Sequence, residues 1–185
     1  MWSKIRRVAT PGLPVSLAEV KQRLRIDGSS DDADLYDFIR GAADLIEGPD
    51  GAGIALNSQQ YDIYYDSFPA EFLIPVHPII SVDSITYELS GEQTVDSADY
   101  ESDLIGGRVR PLLGNSWPST DTVFNAVKLR FTSGYTALPG ALKDAITLMV
   151  GHRYEHREDA SEMSMETIPN GAMSIIEQYR RGRFG

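Results

Sequence analysis

Two histidines stand four residues apart in "GHRYEHRED", and Glu155 directly precedes the second. On a helix, residues four apart are neighbours, so His152 and His156 can share one metal ion. Glu155 beside them can act as base for a metal-bound water. The chemistry on offer is metal-assisted hydrolysis. It requires a third protein ligand and one open coordination position. His77 is the only other histidine of the chain, in "IPVHPII". Prolines on both sides make that stretch an extended segment, and His77 reads as a strand-edge residue.

The pentapeptide H-x-x-E-H has the spacing of the inverted zinc metallopeptidases. That family takes its third ligand from a glutamate well downstream, on another helix of a larger fold; here 29 residues follow His156. At about 100° per residue, His156 falls about 40° and His152 about 80° from the centre of the apolar stripe of their helix. Those are flank positions. With Arg153, Glu155, Arg157 and Glu158 around them, the histidines read as the boundary between a packing helix and solvent. A zinc-dependent hydrolase stays as the alternative reading.

Other chemistry is thinner. Asp27, Asp31, Asp32, Asp34 and Asp37 lack the ordered ligand pattern of a calcium loop and read as helix capping and a solvated face. Ser133 and Ser116 sit in no G-x-S-x-G elbow. There is no P-loop and no G-x-G-x-x-G. The glycines of "PDGAGI" follow a helix and precede a strand, the wrong order for cradling phosphate. The expectation is a protein that is not an enzyme, with no catalytic residue, metal or cofactor.

The totals agree. The 185 residues suit one domain or one with an embedded subdomain, and 42% hydrophobic residues supply a core. A net charge of −10 argues against coating nucleic acid, which needs dense Lys and Arg. The absence of cysteine removes disulfides and thiolate chemistry and fits a reducing compartment. No signal peptide is expected, because Pro11, Gly12 and Pro14 break the stretch after Lys4, Arg6 and Arg7. No run reaches the ~18 apolar residues of a membrane span.

The elements that must position these residues follow from periodicity. Residues 1–14 read as an extended arm with "TPGLP" as a hinge. Ser16-Leu17-Ala18-Glu19 is a capping box, and Leu17, Val20 and Leu24 stripe a short helix to about Ile26. Ser30, Asp31 and Asp32 suit the start of a second helix, striped by Leu35, Phe38, Ile39, Ala42, Leu45 and Ile46 and stopped at Gly48-Pro49. "QYDIYYDSF", "EFLIPVHPII", "SVDSITYEL", "GGRVRPL" and "AVKLRFTSGY" alternate as strands, giving five or six in a small antiparallel sheet or sandwich. Pro139 opens a helix with Leu142, Ala145, Ile146, Met149 and Val150 on one face. "DASEMSMETIPNGA" reads as a loop and "AMSIIEQYRRGRF" as a last helix with a basic end. The expected class is α+β: N- and C-terminal helices (15–48 and 138–185) form a helical unit with an inserted β subdomain (57–136).

Four stretches, in order, resemble the phage head-tail connector proteins, the head completion or adaptor family of tailed phages and gene transfer agents. "PVSLAEVKQRLRIDGSSDDADLYDFIRGAADLIE" is similar to their opening. "QYDIYYDSFP" with "FLIPVHPIISVDSITY" resembles their β segment. "LPGALKDAITLMVGHRYEHRED" resembles their Pro-x-x-Leu-Lys-x-Ala-Ile helix, and "IPNGAMSIIEQYRRGRF" their ending. The resemblance spans about residues 14–184. Ile175-Ile176 departs from the usual leucine. Tyr154, Arg157 and Glu158 match the family pattern as a structural helix end, whereas His152 and His156 fall on variable positions.

The resemblance implies a structural role. Such proteins assemble as rings, commonly twelvefold, under the portal vertex of a DNA-filled capsid, in the particle neck, after assembly in the bacterial host cytoplasm. Implied partners are the portal protein, a stopper or tail-terminator protein, further copies of the chain, and DNA passing through the lumen without sequence-specific binding; no membrane is involved. The implied portal contact is Tyr179, Arg180, Arg181, Arg183 and Phe184. A tail-side completion or packaging accessory protein is a further alternative.

Overall fold

A computed structural model describes residues 4–9, 11–48, 51–156 and 169–180. Among these, four α-helices and eight strands form an α+β protein with two small antiparallel sheets. The chain divides into two compact units. One is Gly12–Asn57 with Tyr135–Gly185; the other is Met1–Pro11 with Ser58–Gly134.

The helical unit begins with α1 (Leu17–Leu24), where Ser16 caps as expected: its Oγ accepts from the Glu19 N–H at 3.2 Å. The Glu19 carboxylate accepts from Lys143 Nζ at 3.1 Å, a cation brought within reach by a later helix. Helix α2 (Asp32–Ile46) buries Leu35, Ile39, Ala42 and Ile46 of the expected stripe, with Ala43 beside them, while Phe38 and Leu45 are only partly buried. Asp31 occupies its N-cap position but makes no side-chain cap bond. Beyond α2 the chain folds back so tightly that a Cβ on Gly51 would lie 2.6 Å from the Ile46 carbonyl oxygen. This turn lets the buried Glu47 accept from the Leu56 N–H at 2.9 Å.

Helix α3 (Gly140–Glu155) follows Pro139 and buries Leu142, Ala145, Ile146, Thr147, Met149 and Val150. Helix α4 (Asn170–Tyr179) starts two residues before the expected "AMSIIEQ" because Pro169 already sets the entry at φ −52°. The helix ends at Tyr179, and Arg180 is extended. One apolar core joins these pieces, including Val20, Leu35, Ile39, Ile146, Val150 and Ile176. Each such fully buried side chain contributes about 1.5–3 kcal/mol.

The β unit holds a five-stranded sheet in the order β1-β2-β8-β4-β5: β1 Lys4–Arg7, β2 Gln59–Tyr65, β8 Val127–Ser133, β4 Ile79–Glu88, β5 Glu92–Thr94. A three-stranded sheet has the order β3-β7-β6: β3 Phe72–Leu73, β7 Arg108–Pro111, β6 Tyr100–Asp103. The sequence led to five or six strands. It missed β1, β5 and β6, whose "KIRR", "EQT" and "YESD" carry little apolar alternation. The segment expected as an extended arm supplies an edge strand at Lys4–Arg7. Period-2 alternation buries Tyr61, Ile63, Leu129 and Phe131 on one face of the central pair. Tyr61 and Phe131 are direct cross-strand partners and stack at 5.4 Å.

Candidate functional site

The pentapeptide occupies the last turn of α3. The His152 and His156 rings pack on each other with centroids 4.4 Å apart. His156 is the C-cap residue; its backbone N–H and its Nδ1 (2.8 Å) both meet the His152 carbonyl oxygen. The second histidine thus closes the helix end, its ring adding a second contact to a carbonyl that already accepts the cap N–H. The helix spacing brings the rings together, as the sequence required. Glu155 and His156 are exposed and His152 is half-buried. No group of three His, Cys, Asp or Glu able to hold a metal stands among the described residues. His77 lies in the β unit, before a cis Pro78, beside Gly107.

The neighbours of the histidines hold helices together. The Tyr154 hydroxyl donates to Asp31 Oδ2 at 2.7 Å, joining α3 to the start of α2. The acidic residue expected to cap α2 is thus engaged by a tyrosine on another helix. Gly41 leaves room on α2 for the Arg153 guanidinium, which a Cβ there would strike. Gly151 likewise leaves room for Leu24. Arg157 and Glu158 lie outside the described residues.

Of the expected portal-contact residues, two are described. Tyr179 is half-buried against the helical core, and Arg180 pairs with Glu177 at 3.4 Å. Arg181, Arg183 and Phe184 lie outside the described residues.

Two features of the β unit escaped sequence reasoning. The first is an ion pair on the polar face of the large sheet. Asp62 on β2 and Arg130 on β8 are cross-strand partners, joined by two bonds of 2.7 and 2.8 Å. The bond from Arg130 holds the Asp62 carboxyl below the usual aspartate range, against the opposing effect of burial. Asp83 gathers Gln60, Ser81 and Thr132 nearby. The alternation signal marked the strands but not which polar residues pair.

The second feature is the loop after β7. Trp117 stacks on Phe68 at 5.1 Å and meets Phe72 edge-on at 5.3 Å. Asn115 bonds Asp99, Asp121 accepts from the Ser90 N–H, and Asp66 accepts from the Asn125 N–H. The loop is pinned along its length, yet Leu113 is 98% and Phe124 88% exposed.

No protein-family model and no curated protein matches the chain. Solved structures do. A chain in the neck of an empty gene transfer agent particle, computed with C6 symmetry, shares its fold at TM-score 0.78 and 24% identity. A chain of the virion of a native gene transfer agent particle matches at TM-score 0.75 and 28% identity. A chain in the neck of a native particle, computed with C12 symmetry, matches at 0.75 and 26%. Each match covers 97% of this chain and 96% of the other. This whole-length likeness bears out the resemblance drawn from the four ordered motifs, to the phage head-tail connector family.

Proposed function

We propose that the chain is a structural head-tail adaptor of a phage or phage-like particle, working in the neck without catalysis. It assembles as a ring below the portal, extends the DNA channel and offers a platform to a stopper or tail-terminator protein. The observation that carries this is the match over 97% of the chain to neck and virion chains at 26% and 28% identity. The charge of −10 fits a lumen that repels DNA and lets it slide. No helix among the described residues is long and apolar enough to cross a membrane. In this reading the chain leaves and re-enters a helical unit around an inserted β subdomain, and Tyr154, Arg157 and Glu158 secure the helix end.

The portal contact is assigned to the C-terminal end, Tyr179, Arg180, Arg181, Arg183 and Phe184; of these, Tyr179 packs against the helical core. Arginine and aromatic side chains are enriched in protein interfaces. Truncation after Tyr179 tests this. The shortened protein is expected to fold with an unchanged melting temperature and to fail to join portal-bearing heads to tails. Normal joining would remove the contact from the tail.

A further inference from the structure

The large sheet has two edge strands, one basic and one at the end of a net acidic hairpin. β1 forms one with Lys4, Arg6 and Arg7, and pairs only with β2 among the described residues. β5 forms the other. Its three residues and the turn before it, 89–94, are all exposed. Carboxylates crowd that end: Glu88 faces Glu92 across the hairpin, and Asp121 accepts from the Ser90 N–H. Glu92 also meets Lys128 at 3.2 Å, leaving the hairpin net acidic.

We propose that β1 of one copy pairs with β5 of the next, so that the basic edge and the acidic edge form a repeating head-to-tail joint between identical chains. This rests on the ring reading above and names its interface. Short, charged edge strands are also the usual means of preventing edge-to-edge pairing. Protection is poorly served, however, by putting opposite signs on the two edges of one sheet. Like signs would repel every copy; opposite signs repel β1 from β1 and β5 from β5 while favouring β1 with β5. That selects a heterologous contact, the kind that closes rings. Direction agrees as well. In a fully antiparallel five-stranded sheet, the two edge strands run the same way, so copies related by a modest rotation bring β5 and β1 together in parallel. With four and three residues the joint is short, suited to copies gathered on a template.

The chain has no cysteine, so engineered ones report cleanly. Arg6→Cys combined with Gln93→Cys, and Arg6→Cys with Thr94→Cys, sample both faces of β5. In concentrated protein and in neck-bearing particles, mild oxidation should give a covalent ladder for one of these pairs, while each single variant stops at dimers. Independently, Lys4→Glu with Arg6→Glu should raise the concentration needed for assembly by about tenfold or more, as should Glu88→Lys with Glu92→Lys. All four changes in one chain should restore it. Fluorescence and far-UV spectra confirm that each variant folds. Rings of normal mass with no ladder and no effect of charge reversal overturn the edge assignment and leave the ring reading standing. A wild-type chain found only as single copies in both preparations overturns the ring reading, and the joint with it.

Discussion

The two units solve the problem of burying apolar surface in opposite ways. In the helical unit, polar side chains fasten one helix to another: Arg23 to Asp144, Lys143 to Glu19, Lys21 to Asp32, and Tyr154 to Asp31. Of the eleven large hydrophobic residues exposed among the described residues, only Tyr36 and Leu148 lie there. The β unit has the other nine, including Leu113, Phe124 and Ile105. Its polar contacts pin strands and loops in place rather than covering those tips. One unit leaves two large apolar side chains exposed among its described residues; the other leaves nine.

The strongest way to break this comparison is to weaken one body alone. Ile146 is fully buried in the helical core. Ile146→Ala should cost about 2–5 kcal/mol. The sequence has two tryptophans, so a Trp2→Phe background leaves Trp117 as the reporter of the β unit. On heating, the far-UV helical signal should fall well before the Trp117 fluorescence changes. Coincident transitions would show one cooperative block and end the distinction.

The next test strikes the β unit. Arg130→Met leaves the 6% exposed Asp62 side chain without its cation. Losing a charged hydrogen-bonded partner costs about 1.5–3 kcal/mol. Its pH dependence is specific. Folding lowers the Asp62 pKa, so the pair's contribution is present above the unfolded value of 3.8 and is lost as pH falls through the lower folded value. The wild-type β unit should therefore lose stability below about pH 4, and the variant should show a flatter acid limb in Trp117 fluorescence. An identical limb in both would detach Asp62 from the acid response.

How much of this was readable beforehand differs by unit for a physical reason. The helical stripes from Leu35 to Ile46 and from Leu142 to Val150 repeat over many residues, and caps and prolines punctuate them. β1 and β5 offered nothing comparable: an edge strand buries little, so selection for apolar alternation is weak there. The Asp62–Arg130 pair depends on strand register across a long chain separation, which no local pattern encodes. Tyr154 showed itself through the family resemblance, but its partner Asp31 did not, because they meet only when α3 crosses α2.

Tyr154 therefore gives a finer test of the closed unit. Tyr154→Phe keeps the ring and removes the hydroxyl that donates to Asp31. The expected loss is about 1 kcal/mol, carried by the helical signal and absent from Trp117 fluorescence. A Trp117 change of the same size would mean the two bodies share that bond's stability.

The smallest effect is expected where the sequence looked most chemical. His152 and His156 pack together at the end of α3, and His152 Nε2 is buried with no hydrogen-bond partner among the described residues. A buried ring nitrogen with no partner is a mild liability, so His152→Leu should be within about 0.5 kcal/mol of wild type or slightly stabilising. A resident zinc ion predicts the reverse. At a hundredfold excess over its Kd, a bound metal adds about 2.7 kcal/mol, and stripping it with chelator should lower Tm by roughly 5–10 °C for a chain of this size. The helix-end reading expects no Tm shift with chelator, no stoichiometric zinc, and no difference in either between wild type and His152→Leu. Zinc at one per chain, lost in His152→Leu, would return the pentapeptide to hydrolytic chemistry. The expected null result leaves the two rings as the closing turn of a helix whose adjacent Tyr154 and Arg153 engage α2.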